Sequence, residues 1–162
     1  DRIVVMHEGR VQQIGTPEQV HARPANPFVA RFIGGSNIVT GRSLGDRLLR
    51  HDGTALTFAG RYEREGNATL AVLPDSLRLE APGRGLVDGE VELSTWLGAV
   101  VEHAVRITPG LTLLARGPGL GPDATPRHTA GTRVSLRWAA VDERLFDAEG
   151  RAMRAVRETS HA

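Results

Sequence analysis

The chain alternates between two textures. Ile3-Val4-Val5-Met6 is a short β-rich run, His7-Glu8-Gly9-Arg10 reads as a turn, and Val11 to Ile14 forms a second run. Two such runs joined by four residues containing Gly predict a β-hairpin. Its apolar pattern is two-sided, as in a strand at the margin of a larger sheet. Thr16-Pro17-Glu18-Gln19 then predicts a helix start, with Thr16 as N-cap, Pro17 in the first turn and Gln19 completing a capping box. Pro24 ends that helix. Asn26-Pro27 repeats the device, and Phe28, Val29, Phe32 and Ile33 fall on one face of a second helix, stopped at Gly34. A hairpin and two short helices cannot cover these faces by themselves. Phe28, Val29, Phe32 and Ile33 are therefore candidate interface residues.

From Asn37 onward the pattern is short β runs separated by turns. Ile38 to Arg42 is one run. Arg47 to Arg50 and Ala55 to Phe58 flank the turn signal His51-Asp52-Gly53-Thr54. Ala68 to Leu73 follows, ended by Pro74. Val91, Leu93, Thr95 and Leu97 alternate with Glu90, Glu92, Ser94 and Trp96, which places Trp96 on the polar phase beside the Leu97-Gly98 break. Val101, His103, Val105 and Ile107 alternate with Glu102, Ala104, Arg106 and Thr108. Leu111 to Ala115 is another run, and Val134, Leu136 and Trp138 alternate with Arg133, Ser135 and Arg137. About seven strands with turns between them predict a mainly β chain built on a small OB-like antiparallel barrel. Three segments result: 1–36 with the hairpin and helices, 37–147 with the barrel, and a tail at 148–162.

Composition narrows the chemistry. In 162 residues the aromatic share is only 4%, so the core must be aliphatic. There is no Cys, which excludes disulfides and thiolate chemistry. There is no Lys either, all 20 basic residues being Arg, which excludes a phosphate-binding-loop or Schiff-base lysine. A net charge of +1 with dispersed Arg gives no electrostatic footprint for nucleic acid, so no nucleic-acid partner is expected. Neither a membrane span nor a secretory leader is visible, which points to a cytoplasmic location. The six His show no metal-ligand spacing, so no metal site is expected. Gly117-Pro118-Gly119-Leu120-Gly121-Pro122 follows a strand but opens no helix, and reads as a loop rather than a dinucleotide-binding turn. His103 and Trp138 lie on apolar phases and are expected in the core. An exposed Trp96, with Leu97, marks a second candidate interface. The opening on Asp1, directly into an apolar run, is read as a piece of a longer chain.

The first 37 residues, DRIVVMHEGRVQQIGTPEQVHARPANPFVARFIGGSN, closely resemble the end of the ATP-binding domain of ABC import ATPases. That family shows an Asp-Arg-Ile-x-Val-Met strand, a Gly turn, a Gln-x-Gly-Thr-Pro helix start and a Phe-Val-Ala-x-Phe-Ile-Gly helix. Its switch histidine, phosphate-binding loop, signature and catalytic carboxylate lie upstream of the position matched by Asp1. The stretches TLAVLPDSLRLE, VELSTWLGAVVEHAVRITPG and TRVSLRWAAVDERLF resemble the TOBE domain, an OB-like barrel attached to the same ATPases. This chain has Leu73-Pro74-Asp75 where that domain has Arg-Pro-Glu, so a polar role for those two positions is not carried over. The resemblance implies the C-terminal regulatory or dimerising part of an importer's ATP-binding subunit. FIGGSN is nearest the polyamine group, with iron(III), phosphonate and sulfate importers close behind. It implies ATP and Mg as cofactors of the parent subunit and none for this part, which is expected not to hydrolyse ATP. It also implies a homodimer, membrane permease subunits as partners, and a place on the inner face of the cell membrane. The alternatives are a free-standing OB-fold that binds nucleic acid and a small oxyanion-binding barrel.

Overall fold

The computed structural model describes residues 1–156. Strands β1 (Ile3–His7) and β2 (Arg10–Gly15) pair antiparallel as the expected hairpin. Helix α1 (Pro17–Ala22) opens on a complete capping box: the Gln19 amide donates to Thr16 Oγ1 at 3.2 Å and the Thr16 amide to Gln19 Oε1 at 3.0 Å. Helix α2 (Pro27–Gly34) is capped by Asn26, whose Oδ1 accepts from the Val29 amide at 3.0 Å. The left-handed stop is Gly35, at φ 59°, and not Gly34. Gly34 is instead a contact glycine. A Cβ there would press into the side chain of Leu73, on the body of the protein.

Ten strands follow, in two antiparallel sheets. One contains β3 (Asn37–Ser43), β4 (Arg47–Leu49), β5 (Ala55–Thr57), β6 (Gly66–Val72) and β12 (Glu143–Asp147), in the order β12-β6-β3-β4-β5. The other contains β7 (Arg78–Glu80), β8 (Val87–Trp96), β9 (Val100–Thr108), β10 (Leu111–Pro118) and β11 (Arg133–Arg137), in the order β10-β9-β8-β11-β7. Both inner faces feed one aliphatic core, which joins Val39, Leu48, Leu70 and Leu145 to Val91, Val105, Leu113 and Leu136. The mainly β, OB-like fold is present, as two packed sheets without a continuous closed ladder among the described residues.

Three differences from the sequence pattern have physical causes. Strand β12 shows no period of two because both its faces are covered: Leu145 enters the main core, while Phe146 and Ala71 pack with Ala30 of α2. On β8 the alternation changes phase at Glu92. The register slips between Val91 and Leu93 opposite β9, one extra residue is accommodated as a bulge, and Leu93 turns outward. The expected tail begins later than 148. Ala152 bridges Phe146, Ala155 bridges Tyr62, and the Met153 amide donates to the Leu145 carbonyl at 2.7 Å. The rest of that expected tail, 157–162, lies outside the described residues.

One buried carboxylate ties these pieces together. Glu143 Oε2 accepts from Trp138 Nε1 at 2.7 Å and the Ala59 amide at 2.8 Å; Oε1 accepts from the Gly60 amide and the Tyr62 hydroxyl, both at 3.1 Å. Burial, and then the negative charge of Glu143, pushes the Tyr62 phenol well above its ordinary range. Trp138 is thus the core tryptophan its phase predicted. Glu143→Ala strands four donors, those of Tyr62 and Trp138 buried and the Ala59 and Gly60 amides half-buried, and should lower folding stability by on the order of 3 kcal/mol in urea titrations with little change in slope. A loss below about 1 kcal/mol would mean that water replaces the carboxylate.

Candidate interaction surfaces

The hairpin shows how the first surface arises. Val5 points inward and packs with Val20 of α1 and Val29 of α2, with Ile3, Phe28 and Ile33 partly buried around them. Strand geometry sends the neighbouring side chains the other way. Val4, Met6, Val11 and Ile14 are therefore about half exposed. Phe32 is 67% exposed, and it continues a stacked row, with ring centroids 4.1 Å apart for His7 and Phe28 and 5.6 Å for Phe28 and Phe32. Of the four predicted helix positions, Val29 is core, Phe28 and Ile33 are at its margin, and Phe32 alone is fully presented.

The hairpin unit is held to the sheets by polar contacts as well as by Ala30 and Gly34. Arg144 of β12 donates to the Ala22 carbonyl through Nε at 3.2 Å and a terminal nitrogen at 2.9 Å. This guanidinium covers the C-terminal end of α1, where carbonyls lack helical partners.

The second surface lies at one end of β8 and β9. Trp96 is 53% exposed and its Nε1 donates to the Gly119 carbonyl at 3.2 Å. Leu97, next along the chain, is 55% exposed, and Leu120 projects from the loop that carries Gly119; Leu93, 60% exposed, lies on the opposite face of β8. The sequence pattern placed Trp96 on the polar phase. The bulge at Glu92 reverses this: Trp96 pairs with Val101, on the face that also carries Ser94 and His103. Gly119 fits because a Cβ there would strike the Gly98 carbonyl in the β8–β9 turn, while Gly119 donates its amide to the Ala99 carbonyl at 2.8 Å. The Gly-Pro run is thus a loop laid across a hairpin turn, as its lack of a following helix predicted.

Behind Trp96 lies a cluster that the sequence pattern did not reveal. His103 is fully buried; its Nδ1 is 2.7 Å from Ser94 Oγ, and its Nε2 has no partner among the described residues. Ser94 Oγ also accepts the His128 amide at 3.2 Å, and the His103 and His128 rings meet edge to face with centroids 5.4 Å apart. His128 also lines a neighbouring cleft of 690 Å³ with Arg78, Thr125 and Arg133. The period-two pattern found His103. Ser94 was hidden by the bulge, and His128 by a loop without periodicity. Among the described residues no group of three His, Asp or Glu could hold a metal ion, and no helix is long and apolar enough to cross a membrane.

Comparison with known proteins places this geometry. Residues 70–146 match the TOBE domain family. The chain carries a TOBE domain. It matches the C-terminal region of ABC importer ATP-binding subunits. It is 34% identical over 141 residues to a spermidine/putrescine import ATP-binding protein of Ruegeria pomeroyi, covering 84% of this chain and 38% of that one. It is 36% identical over 107 residues to the spermidine/putrescine import ATP-binding protein of Clostridium novyi, covering 65% and 31%. An Fe(3+) ions import ATP-binding protein of Rhizobium etli is 36% identical over 114 residues, covering 68% and 32%. The matched part of the chain thus spans 31% to 38% of the length of these relatives.

Exposure separates surface from scaffold in this TOBE domain. Leu93→Asn and Leu97→Asn should each change folding stability by less than about 0.5 kcal/mol in thermal or urea melts. A larger loss would show that these leucines support the fold.

Proposed function

We propose that this chain is the C-terminal regulatory and dimerising region of the ATP-binding subunit of a bacterial ABC importer, of the spermidine/putrescine type. The observation that carries the reading is the order of parts. A hairpin with two Pro-capped helices leads directly into the TOBE domain, and the match to the Ruegeria pomeroyi relative runs well beyond residues 70–146. In this reading the 1–36 segment is the end of the ATPase domain, 37–147 is the regulatory barrel, and Arg144 and Gly34 hold the two in register. The partners are a second copy of the chain and, through the ATPase domain, the membrane permease subunits. The location is the cytoplasmic face of the membrane.

ATP and magnesium are the cofactors this reading gives to the whole subunit. The residues present do not fit either: the chain has no lysine, its Gly-Pro run opens no helix, and the described residues offer no metal-holding group. No chemical step is therefore assigned to this chain. It acts by association, with Phe32 of the hairpin unit and Trp96 and Leu97 of the barrel as contact residues.

Two measurements test this. Light scattering and sedimentation should find a reversible homodimer, and Phe32→Ser or Trp96→Ser should weaken it by about tenfold or more, since buried aromatic anchors dominate interface energy. A monomer at high concentration before any substitution would overturn the dimer. Calorimetric titration with Mg-ATP should give no saturable heat; saturable binding would contradict the division of labour proposed.

A further inference from the structure

The 118–132 loop closes over the end of one sheet's inner face. That face runs outward from Val91, Val105 and Leu113, through Ser94, His103 and Ala115, to Trp96, Val101 and Gly117 at the rim. The loop returns across it. Its Thr125 amide donates to the Pro118 carbonyl at 2.7 Å, the Thr125 side chain fills the space above Gly117, and its His128 amide reaches Ser94.

We propose that His103, Ser94 and His128 form a pH-sensitive latch that holds the 118–132 loop closed and releases it on acidification. The proposal stands independently of the function proposed above. Ser94 has one hydroxyl hydrogen. Ser94 Oγ accepts the His128 amide and shares one further hydrogen bond with His103 Nδ1, which a neutral ring makes in either tautomer, as acceptor of the Ser94 hydrogen or as an Nδ1–H donor to the second lone pair. A second proton puts an N–H on both ring nitrogens, so that Nδ1 can no longer accept from Ser94, and a full charge on a buried ring whose Nε2 finds no partner among the described residues. Burial, and secondarily His128, hold the His103 imidazole below its ordinary value of 6.5.

Among the described residues no anionic group is bonded to His103 to offset that charge. On β9 its neighbours Glu102 and Arg106 point to the opposite face. Glu102 pairs there with Arg116 of β10 at 2.6 Å, and Arg106 pairs with Glu90 and Glu92 of β8 at 3.0 and 3.2 Å. The loop's other charged side chains, Asp123 and Arg127, line clefts on its two sides, and Arg133 of β11 lies in the cleft with Asp123 and His128. An open loop gives His103 water, and with it an ordinary affinity for protons. The open state therefore binds more protons than the closed one. The closed state has its full stability well above pH 6.5 and loses it progressively as the pH falls through that value. Because Leu120 rides on the loop and Trp96 is bonded to Gly119, opening also dismantles the apolar surface at this end.

Amide hydrogen exchange by NMR on this chain tests the latch. After correction for intrinsic rates, protection of the Thr125 and His128 amides should fall by up to about fivefold between pH 6.5 and 5.5, the limit for one histidine of ordinary value 6.5 that stays neutral in the closed state. The Leu70 amide, in the centre of the other sheet, should not change. His103→Gln should make the loop's protection independent of pH over this range. An unchanged pH response in that variant, or constant protection in the parent chain, would overturn the latch. Should His103→Gln fail to fold, nitrogen shifts of the His103 ring decide in the unmodified chain. They should show a neutral ring well above pH 6.5 and protonation in step with loop opening; ring protonation with the loop still protected would refute the proposal.

Discussion

The fold depends on where one carboxylate is allowed to sit. Glu143 is nearly without solvent contact and forms no ion pair among the described residues. Such a group is tolerated only where donors replace its hydration. Four converge, from an indole, a phenol and two consecutive backbone amides. The donors come from the ends of segments that have no regular structure of their own: the 59–62 connection and the turn after β11. Aliphatic packing is nondirectional and can be satisfied by many arrangements. The carboxylate is directional, and it fixes the entry to β12 and the path of the 59–62 segment at once. The aromatic share of 4% sharpens the point, because Trp138, Phe58 and Tyr62 are spent around this site, with Phe58 and Tyr62 edge to face at 5.2 Å.

The next residue uses the same strand in the opposite direction. Glu143 faces the core, and Arg144 turns to the Ala22 carbonyl on the far side of the sheet. Phe146 then lies beneath Ala30 of α2. A four-residue stretch, 143–146, thus locks the two sheets on one face and docks the helical unit on the other. A rotation of β12 that disturbed one would disturb both, which gives the hairpin unit and the TOBE domain a short mechanical connection.

Local chemistry was the most legible part of the sequence. The capping boxes, Pro-opened helices and the Asp-Gly turn depend on residues three or four apart. Asp52 illustrates this: the Thr54 amide holds its carboxyl down to about 2, within a single turn. What was illegible depends on partners distant in the chain. Strand β12 lost its alternation because α2 covers its outer face, some 115 residues away in sequence. The bulge at Glu92 is a property of the β8–β9 pair, and it moved Trp96 from the polar phase to the face of His103. The His103–Ser94–His128 cluster needed that bulge, a strand pairing and a 15-residue loop to assemble. Phe28 to Ile33 was read as one apolar face, yet the hairpin covers most of it and leaves Phe32 outside.

The two exposed surfaces differ from scattered apolar residues in being held still. An exposed leucine on a mobile surface loses rotamer freedom on contact, at about 0.5–1.5 kcal/mol for each immobilised side chain. Phe32 has already lost much of that freedom, because its ring continues a stack that begins at His7. Trp96 has lost it too, through the bond from its indole nitrogen to the Gly119 carbonyl. Neither restraint is required to stabilise the core, since neither ring belongs to it. Part of the entropy cost of any association at these surfaces would therefore be met during folding, and the aromatic area at each would convert more fully into binding. The restraint on Trp96 passes through the loop that the histidines hold, so this surface is as well organised as the loop is closed.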